Sequence, residues 1–400
     1  MDRRGFLNGL VGCSLAASPL VVPVSFASVP GDRRLVVILL RGGMDGLGVV
    51  APVGDSGFAA LRGAPEGLIG LDGMWAMHRG MAPLMPLWEA GQMSVVHAVS
   101  TPYRDKRSHF DGQDLLEAGV AGVEVGAARD GWLNRLVGLM PGATAQTVQA
   151  LGNDPLAIAS GVQPVTRWSP EVDLALSPQA IRLAQLVMAD DPAMSAALAE
   201  AYALAGDDGD GIMMDGGAEA AMGEMMSDMQ AQKGRGAVER MAEFAGKKLR
   251  KEASVACFSI NGWDSHAAQD RVLDRALEQL AVAVLTLRRH LGEGGWDRTV
   301  VAAVTEFGRT ARLNGNRGTD HGTGGAMLLM GGAVKGRRVI TDWPGLSEAD
   351  LYDRRDLMPT RDIRAHLGWV IRGLFGTAAG DVERVVFPGL DLGADPGLLL

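Results

Sequence analysis

Residues 299–334 read TVVAAVTEFGRTARLNGNRGTDHGTGGAMLLMGGAV. The reading of this stretch decides the fold class. Thr299–Val304 is an apolar run of strand length, rich in β-branched residues, and Ala326–Met330 is a second. Between them Gly308, Gly315 and Gly318 punctuate a polar loop that carries Glu306, Arg309, Arg312, Asp320 and His321. In open α/β sheets, ligands bind where loops leave the carboxyl ends of the strands. Glu306 holds that position, and Asp320-His321 can fold back beside it. A capped turn with a surface salt bridge is the alternative. Acids, a histidine and several glycines rarely crowd one loop between buried strands for packing alone.

The same grammar recurs outward from this stretch. Leu35–Leu40 is the strongest buried-strand signal in the chain, and it ends in Arg41-Gly42-Gly43-Met44-Asp45-Gly46. An acid flanked by glycines beyond a central strand suits a metal ligand, and equally an Asp-Gly turn. Met93–Val99 is the next strand, with His97 inside it as a core histidine. Ser108-His109 follows, just before a helical pattern that runs through Gln113–Ala118. Ser108 is placed to cap that helix. With free N–H groups there and Arg104, Lys106 and Arg107 upstream, the same spot is also an anion site, and the hydroxyl a candidate nucleophile or metal ligand. Val255–Ile260 is a strand leading to Asp264 and His266, two residues apart and hence on one side of extended backbone. A carboxylate and an imidazole so placed are a sound pair of divalent-metal ligands. Asp45, Ser108-His109, Asp264, His266, Glu306 and Asp320-His321 therefore all follow strands. Their convergence on one sheet edge points to a metal centre with an anion-binding hydroxyl.

The remaining segments frame this core. A short helix is expected over Met81–Ala90, an amphipathic one over Leu273–Leu291 stopped by Gly292–Gly295, and another over Thr360–Leu374. Residues 178–250 read as a helical insertion covering the sheet; the break at residues 206–211 is a solvated turn, and Met213–Met229 is interhelical packing. Residues 1–27 form a twin-arginine signal, with Arg3-Arg4, an apolar stretch Leu10–Val24 and Ser25-Phe26-Ala27 as a cleavage site. The expected location is the periplasm, with the twin-arginine translocase as partner during export. Residues 28–400 remain as one large α/β domain. Cys13 lies in the signal, so Cys257 is the one thiol left, buried in an apolar strand and structural. Net charge is −9 with no Lys/Arg-rich tract, which argues against nucleic acid, and no later run is long enough to span a membrane.

Six motifs together carry a resemblance. They are Leu40–Gly46, Arg107-Ser108-His109-Phe110, Asp130-Gly131-Trp132-Leu133-Asn134-Arg135, Gly262-Trp263-Asp264-Ser265-His266, Thr305–Thr310 and Thr319–Gly325. Along almost its whole mature length the chain resembles the exported bacterial family known as domain of unknown function 1501. That family looks like a branch of the alkaline phosphatase and sulfatase superfamily. The resemblance implies a mainly parallel sheet between helices, and hydrolysis of phosphate or sulfate esters at one or two divalent cations (zinc, calcium, magnesium or manganese). It implies metal roles for Asp45, Asp264, His266, Glu306, Asp320 and His321, some of them from an outer shell. Ser108 falls at the nucleophile position with His109 beside it. No Cys lies there, which excludes a formylglycine sulfatase of the common type. Phe307 stands where a metal histidine is usual. The expected function is thus a metal-dependent hydrolase of a small anionic ester, with Arg107 or Arg309 holding the substrate's remaining oxygens. The alternative is a non-catalytic exported binding or assembly protein on a degenerate hydrolase fold.

Overall fold

A computed structural model describes residues 32–104, 106–122, 130–170 and 222–400. The expected signal at 1–27, the insertion up to residue 221 and the turn at 206–211 lie outside these residues. Nine strands form one sheet: β1 (Arg34–Leu40), β2 (Met93–Ser100), β3 (Val148–Leu151), β4 (Thr166–Trp168), β5 (Val255–Ile260), β6 (Thr299–Val304), β7 (Gly325–Met330), β8 (Arg338–Ile340) and β9 (Arg361–Asp362). The order is β8-β2-β7-β6-β1-β5-β3-β4, with β9 also pairing β2. Every pairing is parallel except those of β7, which runs antiparallel to both β6 and β2. The expected α/β class with a mainly parallel sheet is what the protein has.

The sheet is covered on both faces, and β1 shows why. Its side chains alternate across the sheet, yet all six of Leu35–Leu40 are buried. Val36, Ile38 and Leu40 pack toward α3 (Met222–Lys251) and α4 (Gln269–Trp296). Leu35, Val37 and Leu39 pack toward α2 (Trp132–Leu139) and α5 (Ile363–Phe375). The outcome is a three-layer sandwich with one core on each side of the sheet. α1 (His109–Ala118) lies at the sheet edge where the parallel strands end.

Local differences from expectation have local causes. Met81–Ala90 is not one α-helix: Arg79–Leu84 is 3-10, and only Met85–Glu89 is α-helical. Pro83 lies inside the first piece, where it removes an N–H donor. The α4 break expected at Gly292–Gly295 is real at Gly292 (φ +69°), but a further turn carries the helix to Trp296. α5 begins at Ile363, three residues later than Thr360, because Asp362 caps it by accepting from the Arg364 N–H at 2.9 Å. Cys257 is fully buried, and burial pushes its thiol up to about 12, so it is an inert core residue.

Two further histidines belong to the core. His97 is fully buried, with Nε2 3.1 Å from the carbonyls of Gly46 and Val50. His366 on α5 is buried, and among the described residues neither of its ring nitrogens has a hydrogen-bond partner. Burial lowers both from 6.5 to about 4. The unfolded chain therefore takes up a proton at each site as pH falls through 6.5, while the native state resists until about 4. Each contributes stability that is present above 6.5 and is lost between those values, about 3 kcal/mol apiece. His366→Leu should flatten the fall in melting temperature between pH 7 and pH 4.5. An unchanged fall would show that His366 is not titrating in this way.

Candidate metal centre

The loops that leave β1, β2, β5 and β6 and the loop that enters β7 meet at one edge, because β7 runs opposite to the others. Five of the residues singled out in the sequence come together there: His109, Asp264, His266, Asp320 and His321, with Glu306 beneath them. The loops pack backbone on backbone. Gly42 has φ +121°, and a Cβ there would lie 2.5 Å from the Asp264 nitrogen. A Cβ on Gly318 would lie 2.2 Å from the carbonyl carbon of His266. These two glycines hold the Asp264 and His266 loop against its neighbours.

Hydrogen bonds orient each imidazole. His109 Nδ1 donates to Glu306 Oε1 at 2.8 Å. His266 Nδ1 donates to Asp320 Oδ1 at 3.1 Å. His321 Nδ1 donates to the carbonyl of Arg107 at 2.8 Å. The partners of His109 and His321 accept, so these two rings carry a proton on Nδ1 and, when neutral, present a lone pair at Nε2; His266 faces a carboxylate with each nitrogen, Asp320 with Nδ1 and Asp264 with Nε2, both at 3.1 Å. All three Nε2 atoms face Asp264, and those of His266 and His321 also face each other. His266 Nε2 is 3.0 Å from His321 Nε2 and 3.1 Å from Asp264 Oδ1. His321 Nε2 is 3.5 Å from Asp264 Oδ1, and His109 Nε2 is 3.5 Å from Asp264 Oδ2. His109 Nε2 is buried and has no hydrogen-bond partner. The ligand atoms of His109, Asp264 and His321 all lie within 4.8 Å of one another. A tetrahedral cation with bonds of about 2.0–2.1 Å separates its ligand atoms by roughly 3.4 Å, close to these spacings.

The electrostatics match. Burial pushes the Asp264 carboxyl up, but the Arg309 hydrogen bond and charge, with His266 and His109, more than offset it and hold it below the usual range. Burial likewise works against the Glu306 carboxylate. Hydrogen bonds from His109, the Gly42 N–H (2.9 Å) and Gln113 (3.2 Å) keep it ionised. In return, the bond to Glu306 raises His109. Burial lowers His321, and the bond to His266 lowers Asp320. Glu306 and Asp320 are thus carboxylates that orient histidines, the usual outer partners of imidazole ligands.

Two residues, Asp45 and Arg309, stand differently from expectation, and Ser108 takes the capping place that its position predicted. Asp45 is buried and faces away from the cluster: both its oxygens accept from Arg62, at 2.5 and 2.9 Å, and Oδ2 also accepts from Gln269. Arg309, expected to hold substrate oxygens, has a fully buried side chain. It donates to Asp264 Oδ1 at 2.7 Å, to the Gly42 carbonyl, and to both the hydroxyl and the carbonyl of Thr319. It positions Asp264. Ser108 caps α1: its Oγ accepts from the Asp111 N–H at 3.5 Å. Arg107 is left as a cation at the mouth, its side chain 31% exposed and only 3.5 Å and 3.8 Å from Asp356 and Asp353. Phe307 stacks on His109 with ring centroids 4.9 Å apart.

Arg62, Gln113, Gln269 and Thr319 escaped the sequence reading. Their signal was faint: an Arg closing an apolar turn, Phe58–Arg62, and amides at helix positions that look solvent-facing. A chain of hydrogen bonds through them ties Asp45 to Gln269, Gln269 to Thr319 (2.7 Å) and Thr319 to Arg309 (3.2 Å).

No curated protein matches the chain. The family described as "Protein of unknown function (DUF1501)" matches residues 32–388, which include every strand and helix named above. The chain belongs to the DUF1501 family.

Proposed function

We propose that His109, His266, His321 and Asp264 bind one divalent cation, and that the protein uses it to hydrolyse phosphate or sulfate esters in the manner of the alkaline phosphatase and sulfatase superfamily. One observation carries the reading: the Nε2 atoms of His109, His266 and His321 each lie within 3.5 Å of an Asp264 carboxylate oxygen, and ligand atoms of His109, Asp264 and His321 all lie within 4.8 Å of one another. Three nitrogens to one oxygen suit zinc better than calcium or magnesium, which take oxygen ligands. Bound there, such an ion supplies Lewis-acid stabilisation of charge on the ester oxygens.

The chain's own groups do the rest. Arg107 meets the substrate's outer oxygens. The N-terminus of α1 faces the same space and favours an anion. Ser108, whose N–H donates to the Tyr103 hydroxyl at 2.7 Å and whose Oγ makes a long cap contact, turns its hydroxyl to the ester centre. The test is a screen of p-nitrophenyl phosphate and p-nitrophenyl sulfate with protein never exposed to chelator, alongside Ser108→Ala. Loss of turnover with unchanged metal content is the expected result. A lost cap would cost about 1 kcal/mol of stability and leave turnover intact, and in that event Ser108 is only a cap.

The second reading, a non-catalytic binding protein, is favoured by Arg309 and Phe307. Arg309 beside the cluster is fully buried and spends four of its five N–H donors on protein groups, and an apolar ring occupies the place of a further ligand. A stoichiometric metal with no turnover on either ester class would select it.

A further inference from the structure

Next to the cluster lies a cleft of about 550 Å³ that no proposed role uses. Asp320 is common to both: it orients His266 on one side and lines the cleft on the other. The cleft has two characters. Leu61, Leu346 and Leu351 form its floor and belong to one buried apolar cluster, so the floor is fixed. Arg312, Arg354 and Arg355 stand on its rim. Arg312 and Arg354 are exposed and loosely held, with contacts of 3.3 Å to the Ala60 carbonyl and 3.7 Å to Glu348. Arg355 uses Nη1 on the His321 carbonyl and Asp356, which ties the rim to the metal loop.

Arg355 is paired with the buried Asp356 at 2.7 Å and Arg354 stands 3.7 Å from Glu348, so Arg312 and the loosely held Arg354 carry the rim's outward positive charge. Guanidinium groups recognise carboxylate, phosphate and sulfate by paired hydrogen bonds. An apolar floor below them gains by covering a hydrocarbon body. We infer that this cleft binds an organic anion with a short apolar body, its anionic group on Arg312 and Arg354 and its body on Leu61, Leu346 and Leu351. In the substrate this would be the part that is not cleaved. That assignment to a substrate rests on the ester reading above, whereas binding itself does not.

Calorimetry with hexanesulfonate, which cannot be hydrolysed, tests the inference on the full metal-loaded protein. Hexanesulfonate should bind roughly tenfold or more tighter than inorganic sulfate, which lacks the body, and hexanol, which lacks the charge, should not bind. Arg312→Gln with Arg354→Gln should weaken hexanesulfonate by roughly tenfold, with metal content unchanged. Arg288→Gln with Arg289→Gln, on exposed positions of α4, is the control and should leave binding within about twofold. Hexylphosphonate and hexanoate titrated in parallel rank the anionic groups. Equal binding by the cleft variant and the wild type overturns the inference, as does an equal loss in the control. If Asp264→Asn abolishes metal binding while hexanesulfonate still binds through Arg312 and Arg354, the cleft stands independently of the metal. If metal binds and esters are hydrolysed but hexanesulfonate does not bind, the cleft inference alone falls.

Discussion

Asp264→Asn is expected to strip the protein of its cation. The substitution keeps an acceptor for Arg309 at nearly constant volume and removes the one carboxylate toward which all three Nε2 atoms point. Loss of an outer partner of a metal ligand typically costs 10–100-fold in affinity, so losing the ligand itself should cost about 100-fold or more. The effect on stability follows by linkage. At a free cation concentration about 1,000 times the dissociation constant, the bound ion stabilises the fold by roughly 4 kcal/mol. The variant should therefore unfold like wild-type protein treated with chelator, and added zinc should raise the wild type alone. Glu306→Gln should fall between the two, since it disturbs His109 without removing a ligand. Wild-type protein whose unfolding is indifferent to both chelator and zinc would refute the metal centre.

The sequence made the edge legible and left its internal division of labour dark. Strands β1, β5 and β6 are unbroken apolar runs because both faces of the sheet are covered, and such runs survive inspection without any structure. The convergence of their loops followed from parallel order alone. What periodicity does not carry is direction: β7 reads as a strand, but nothing in Ala326–Met330 says that it runs antiparallel. That reversal is what puts Asp320-His321 at the same edge as Glu306. Nor can spacing separate a ligand from the group that orients it. Asp264, Glu306 and Asp320 look alike in the chain. One faces three imidazole nitrogens, and the other two accept from Nδ1 of His109 and His266. The strands Arg338–Ile340 and Arg361–Asp362 are too short to register as patterns.

Asp45→Asn is expected to destabilise the protein by about 3–5 kcal/mol while the cation stays bound at full stoichiometry. Removing the Asp45 charge leaves the Arg62 guanidinium, whose side chain is only 3% exposed, with the carbonyls of Thr310 and Ala311 but no counter-charge. A buried cation without its partner is costly because the desolvation remains and the attraction is gone. Burial alone would raise the Asp45 carboxyl, yet Arg62 and Arg309 hold it below the usual range, so the pair is ionised in the native state. Asp45 reaches the cluster only through Gln269, Thr319 and Arg309, none of which offers an atom to a metal at Asp264. Denaturant unfolding and elemental analysis of the same preparation separate the two roles. A ligand would lose metal with a stability change that chelator reproduces in the wild type. A structural pair loses stability that added zinc does not restore. The second outcome is expected; the first would return Asp45 to the metal.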